Sequence, residues 1–259
     1  MTVTLRFQDS GEGIPLVLLH AFPLSARMWA NQRAALSDTC RVITPDLRGF
    51  GASPAGDGEP SLEAMADDLY QLLDRLDLGS VVLGGLSMGG YVAMAFLRKY
   101  PHRVAALVLA DTKAAADTPQ IRENRHKLAH EVTETATINA VYDRVLPTLL
   151  GRSTRDHRPE VVSEVRDIVG DATPAGVAWA AQAMAARPDS RDVLAKANVP
   201  ALVIVGDEDQ IVTVADTEAM ADALPKVTMA RLMAAGHLSA MEDPRAFNAA
   251  VRDFVGSLI

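Results

Sequence analysis

One pentapeptide, Gly85-Leu86-Ser87-Met88-Gly89, constrains this chain more than any other stretch. Before it runs Ser80-Val81-Val82-Leu83-Gly84, an apolar, β-branched run that reads as a buried strand. After it, residues 90–97 read as a helix that closes at Lys99-Tyr100-Pro101. A G-x-S-x-G between those elements puts the serine on a sharp strand-to-helix turn. The backbone there is strained, and side chains two residues to either side would collide with neighbouring elements. Glycine at 85 and 89 removes the collision. The Ser87 hydroxyl is then held above the carboxyl edge of a sheet, where a helix N-terminus favours negative charge.

The rest of the chain supplies such a sheet. Val3 to Phe7 alternates apolar and polar residues, as a half-exposed edge strand does. Leu16 to Leu19, Arg41 to Thr44, Val104 to Leu109 and Ala201 to Val205 are apolar runs typical of strands covered on both faces. Residues 61–77 place Leu62, Met65, Leu69, Leu72, Leu73 and Leu76 on one helical stripe, with Asp67, Asp68, Asp74 and Arg75 opposite. Buried strands alternating with amphipathic helices predict an α/β, doubly wound, mainly parallel sheet with right-handed crossovers. Ligands bind such sheets at the carboxyl ends of the strands, where Ser87 lies. Between Asp111 and Pro200 the alternation stops, and helices are expected over 122–145, 160–169 and from Pro174 onward. Residues 113–188 therefore read as a helical cap inserted into a core of 1–112 and 189–259.

A serine nucleophile needs a base within hydrogen-bond reach, and the base needs an orienting carboxylate. His237, preceded by Gly236 on a loop after the strand-like run Val227 to Leu232, is the candidate base. Asp207 and Asp209 both follow the Ala201–Val205 strand, and spacing alone does not separate them. A developing oxyanion would be met by backbone N–H groups. Met88, directly after the serine, supplies one; the loop His20-Ala21-Phe22-Pro23 offers Phe22 as the second, because Pro23 has no N–H.

Taken together, Leu18 through Pro23, Asp46-Leu47-Arg48-Gly49-Phe50-Gly51, Gly85 through Gly90, Gly206 through Asp209 and Gly236-His237 resemble the α/β-hydrolase family. The resemblance is to its short, capped bacterial esterase, lactonase and cofactor-free haloperoxidase-like members, and it spans nearly the whole chain outside the cap. It implies hydrolysis of a small-molecule ester or lactone without metal or organic cofactor, and perhydrolysis as a side activity. The family pattern G-x-x-D maps the orienting carboxylate onto Asp209; a residue a few positions beyond the strand end can also turn back toward His237, while Asp207, beside Gly206, is placed to cap the turn. An enol-lactonase acting on an aromatic-degradation intermediate is the narrower reading; a non-catalytic ligand receptor is the reading from a different class. Two departures stand out. Ala21 replaces the usual glycine, which would shift the oxyanion loop, and the short lead-in predicts that one of two leading antiparallel strands is reduced or missing.

Other features are weaker. Trp29, Trp179, Met184, Leu238 and Met241 could line an apolar acyl pocket or simply pack the core. His126 and His130 stand i,i+4 with no third ligand in register, and read as a solvated helix face. Arg152, Arg155, His157 and Arg158 could receive an anionic substrate but read as a surface loop. A net charge of −8 argues against nucleic-acid binding. No apolar run approaches a membrane span, no signal peptide is visible, and the single cysteine, Cys40, excludes an internal disulfide. A cytoplasmic protein is the expectation.

Overall fold

In the structure, a computed structural model describing residues 2–258, the apolar runs form a seven-stranded sheet. Its strands are β1 (Phe7–Ser10), β2 (Ile14–Leu19), β3 (Cys40–Pro45), β4 (Val81–Leu86), β5 (Val104–Ala110), β6 (Ala201–Gly206) and β7 (Val227–Leu232). Their order is β1-β3-β2-β4-β5-β6-β7, with β1 antiparallel to β3 and every other neighbour parallel. A single antiparallel strand thus leads the sheet, and it begins at Phe7, four residues beyond the expected start. Val3 instead donates its N–H to Asp68 Oδ1.

Among the described residues there are twelve α-helices: α1 (Ala30–Leu36), α2 (Leu62–Arg75), α3 (Met88–Lys99), α4 (Pro119–Thr135), α5 (Asn139–Arg144), α6 (Arg152–His157), α7 (Pro159–Gly170), α8 (Pro174–Ala186), α9 (Arg191–Ala195), α10 (Val214–Ala221), α11 (Ser239–Glu242) and α12 (Pro244–Gly256). None is long and apolar enough to cross a membrane. The direction of winding reverses between β2 and β4, because β3 lies outside β2 while β4 lies on its other flank. That reversal opens a crevice at the carboxyl ends of β2 and β4, the loop ends that carry Phe22 and Ser87.

The stripe on α2 is buried as its spacing demands, with Leu62, Met65, Leu69, Leu72 and Leu73 at most 2% exposed. Each contributes roughly 1.5–3 kcal/mol of burial. Ser61 caps the helix by accepting from the Ala64 N–H. Asp68 departs from the expected polar face. It is buried and takes a two-pronged ion pair from Arg48, at 2.8 Å on each oxygen. That pair ties α2 to the loop after β3.

The helical segment between β5 and β6 breaks once more than its pattern predicts. Thr133 and Thr135 bond back to the Ala129 and Glu131 carbonyls, and Ala136 turns left-handed at φ 51°. Those hydroxyls compete for helix carbonyls, so α4 ends and α5 starts afresh. Residues 152–157 form α6 where a loop was expected. Arg158 locks its end by reaching the Glu242 and Ala234 carbonyls and Thr154 Oγ1. Helix α8 meets the core backbone to backbone: a Cβ on Gly176 would fall 2.0 Å from the Gly49 carbonyl oxygen.

Candidate active site

Ser87 sits at the tip of β4 with φ 54° and ψ −113°, a conformation L residues rarely adopt. The surrounding glycines explain how the turn closes. A Cβ on Gly85 would lie 2.2 Å from Gly89, and one on Gly89 would lie 2.1 Å from the Leu19 carbonyl oxygen. Thr112, at the end of β5, steadies the turn by donating its hydroxyl to the Ser87 carbonyl at 2.9 Å.

His237 Nε2 lies 2.8 Å from Ser87 Oγ, and its Nδ1 lies 2.8 Å from Asp209 Oδ2. Asp209 faces back because its other oxygen accepts the N–H groups of Ile211 and Val212, at 2.7 and 3.0 Å. Asp207 points elsewhere and accepts the Ala234 N–H at 2.7 Å, so it grips the neighbouring loop rather than its own turn. Geometry therefore separates the two carboxylates that spacing could not. Burial pulls the His237 pKa down, but the Asp209 carboxylate, by its charge and its hydrogen bond and with Glu242 adding to it, outweighs burial and leaves the imidazole above its ordinary value.

The loops that bear these groups touch through glycine. A Cβ on Gly206 would come within 2.3 Å of the Gly236 carbonyl, and one on Gly236 within 2.1 Å of the Gly151 nitrogen. The Gly151 N–H in turn donates to Glu242, whose other oxygen takes the Leu238 N–H. Glu208 accepts both the N–H and the hydroxyl of Ser153. The acid turn, the histidine loop and the start of α6 are thus one packed unit.

Across the crevice, the Phe22 and Met88 N–H groups have no protein partner among the described residues. His20 fixes the Phe22 loop: its Nδ1–H donates to the Ala21 carbonyl, and its Nε2 accepts the Leu47 N–H, each at 2.9 Å. Burial pushes the His20 pKa down to about 4, which keeps this neutral tautomer. Asp46 adds two bonds, from the Ala26 and Ala52 N–H groups. Ala21 is accommodated without a positive φ.

Ser87 and His237 open into a cavity of about 440 Å³. Its walls are Phe22, Tyr91 and Ile211 from the core, and residues of α4, α5 and the turn after α5, among them Ile121, Leu128 and Thr148. None of the expected pocket residues lines it. Trp29 is fully buried, 5.9 Å from the Phe247 ring; Leu238 and Met241 are buried core. Trp179 donates to the Gly58 carbonyl beneath the Arg48 guanidinium. Met184 stands one side chain behind the wall, its sulfur 3.3 Å from Arg125 Nη1. Residue type could not tell core from cavity at these positions. His126 and His130 face solvent on α4.

One buried residue carried no earlier mark. Asp111 is fully buried at the end of β5, with φ 44°. Its Oδ1 accepts the Gly206 N–H at 2.9 Å, and Ser239 Oγ donates to its Oδ2. Burial, with the Asp209 charge second, raises its pKa to about 8. The one available signal was an aspartate closing an otherwise apolar strand.

The family model for the alpha/beta hydrolase fold matches residues 14–244. The chain belongs to that family. A thermophilic esterase from Thermogutta terrifontis, solved with malate bound, is 45% identical over 99% of this chain and 94% of its own, with a TM-score of 0.94. The enol-lactonase from Burkholderia xenovorans LB400 is 31% identical over 98% and 97%, with a TM-score of 0.89. The 3-oxoadipate enol-lactonase 2 of Acinetobacter baylyi is 29% identical over 91% of this chain and 86% of that protein.

Proposed function

We propose that this chain hydrolyses a carboxylic ester or lactone through an acyl-enzyme on Ser87, with Asp209 and His237 completing a catalytic triad. The observation that carries the proposal is the relay of two 2.8 Å contacts, Asp209 to His237 to Ser87, at the floor of a cavity of about 440 Å³. His237 Nε2 takes the hydroxyl proton as Ser87 Oγ bonds to the acyl carbon, and the carbonyl electrons move to oxygen. The Phe22 and Met88 N–H groups receive that oxyanion. When it collapses, the bond to the leaving alcohol breaks and His237 returns the proton to it. In a lactone the alcohol stays tethered to the acyl chain. Water then repeats the sequence with His237 as base and frees Ser87. Asp209 holds the Nδ1–H tautomer throughout and offsets the imidazolium charge.

Esterase and enol-lactonase relatives support the reaction class. Residues 113–188 act as the cap that encloses the substrate, a reading supported by the α4 and α5 side chains on the cavity wall. The test is a panel of p-nitrophenyl esters and small lactones beside a fluorophosphonate probe. Wild type should label stoichiometrically and turn over at least one substrate, and Ser87→Ala should do neither. An inert serine in a folded protein would instead mark a ligand receptor, and full turnover by Ser87→Ala would remove Ser87 as nucleophile.

A further inference from the structure

The cavity above Ser87 carries a charge at odds with the chain around it. Arg125, Lys127 and Arg144 line it, and no aspartate or glutamate does, in a protein of net charge −8. The three cations are held differently. Lys127 and Arg144 pair with Glu123 and Glu131 at solvent, every partner about half exposed or more. Such pairs are screened and rearrange at little cost. Arg125 is 20% exposed, and its Nε donates to Asp117 Oδ2 at 2.6 Å, a carboxylate with a fully buried side chain. Its Nη1 rests on the Met184 sulfur.

Asp117 serves two arginines. Arg187 Nη1 lies 2.7 Å from its other oxygen, and the Arg187 guanidinium stacks 3.9 Å over the Tyr91 ring. Burial alone would push the Asp117 carboxyl up, but the two guanidiniums outweigh it and hold it below the ordinary range. The cluster therefore sums to one positive charge at the wall, with its geometry set before any ligand arrives. A cation withdrawn from water calls for an anionic partner. The guanidinium N–H groups that Asp117 leaves unengaged, beside neutral Asn124 and Thr148, suit a carboxylate.

We infer that the substrate is an ester or lactone carrying a second, free carboxylate, and that Arg125, preset by Asp117, is the residue that selects it. The inference rests on the ester-hydrolase reading for its chemistry, and on the cationic wall for its charge. It also moves the anion-recognising group away from Arg152, Arg155 and Arg158, none of which lines the cavity.

The test compares kcat/KM for monoethyl glutarate with ethyl pentanoate, and for butanoyl glycolate with propyl butanoate. These pairs place the carboxylate on the acyl and on the alcohol side. In wild type at least one anionic member should exceed its neutral partner by roughly 10- to 100-fold, the range of a charge-assisted hydrogen bond. Arg125→Met should reduce that ratio to near one. Arg125→Lys, which keeps a charge beside Asp117, should retain part of it if the fold is intact by circular dichroism. Glutarate binding, measured by calorimetry on Ser87→Ala, should be present and should vanish on adding Arg125→Met. Neutral esters cleaved as well as both anionic ones, or a ratio that survives Arg125→Met, overturns the inference and leaves the hydrolase reading standing. Glutarate binding that depends on Arg125, with no ester cleaved, overturns the hydrolase reading and keeps the anion site.

Discussion

Asp111→Asn is the substitution whose outcome depends most directly on the electrostatics of the site. Held up to about 8 in the folded protein against 3.8 for the free side chain, Asp111 keeps its proton where an unfolded chain would release it. The sign follows from proton counting. Between about pH 4 and pH 8 the native state binds the extra proton, so stability falls as pH rises through that window. At 1.36 kcal/mol per unit, the cost reaches on the order of 4 kcal/mol at pH 7 and is complete above pH 8. Asparagine has the shape of the neutral acid: its amide oxygen accepts the Gly206 N–H, and its amide nitrogen faces Ser239 Oγ, whose hydroxyl turns from donor to acceptor. The variant should match wild type within about 1 kcal/mol at pH 4.5 and be more stable by several kcal/mol at pH 8.5. For a domain of this size that corresponds to roughly 10 °C in melting temperature. Urea unfolding followed by circular dichroism at pH 4.5, 6, 7 and 8.5 measures it. A variant destabilised equally at every pH, or increasingly at alkaline pH, would mean that Asp111 is ionised in the native protein and would refute the reasoning.

Three further outcomes are expected. Asp209→Asn should lower kcat by a factor on the order of 10⁴, as tautomer loss does in a serine protease, while Asp207→Asn should cost roughly 1 kcal/mol of stability with kcat near wild type; reversed results would exchange their roles. The acid limb of kcat/KM should report His237 above its ordinary 6.5, with activity appearing as the imidazole loses its proton, and the limb should move to lower pH in Asp209→Asn, read from the pH profile. Asp68→Ala takes the carboxylate partner from the buried Arg48 guanidinium and should cost about 3–5 kcal/mol in urea unfolding, whereas a loss under 1 kcal/mol would show that the pair adds little to stability.

What the sequence made legible was whatever is local. Ser87 announces itself because the turn that holds it demands glycine at fixed offsets, and the clash distances at Gly85 and Gly89 are that demand in metric form. Buried strands were legible from continuous apolar runs, to within a residue or two at their ends. The contact between Asp209 and His237, by contrast, joins loops 28 residues apart, and spacing alone left Asp207 an equal candidate. Beyond Ser87, His237 and Phe22, the cavity wall was not legible. Whether an arginine on α4 faces solvent or substrate depends on how that helix lies across the sheet, and Arg125 has the same helical periodicity as its solvated neighbours. Asp68 misled for a related reason: a carboxylate on a polar stripe looks solvated until its arginine, 20 positions earlier, is placed over it.

The contact of Gly151, Gly206 and Gly236 has a consequence for how such a chain can diverge. Each position excludes a side chain because another backbone already occupies the space, so the three form a single steric decision. A methyl at 206 meets the Gly236 carbonyl and a methyl at 236 meets the Gly151 nitrogen, so both bear on the one loop that carries His237. In a double-mutant cycle, alanines at 206 and 236 should therefore show a coupling energy well outside simple additivity in stability. The helices above the cavity are free to exchange side chains and so to change substrate. The turn at Gly151 is not, because its backbone packs against the backbone of the loop that carries His237.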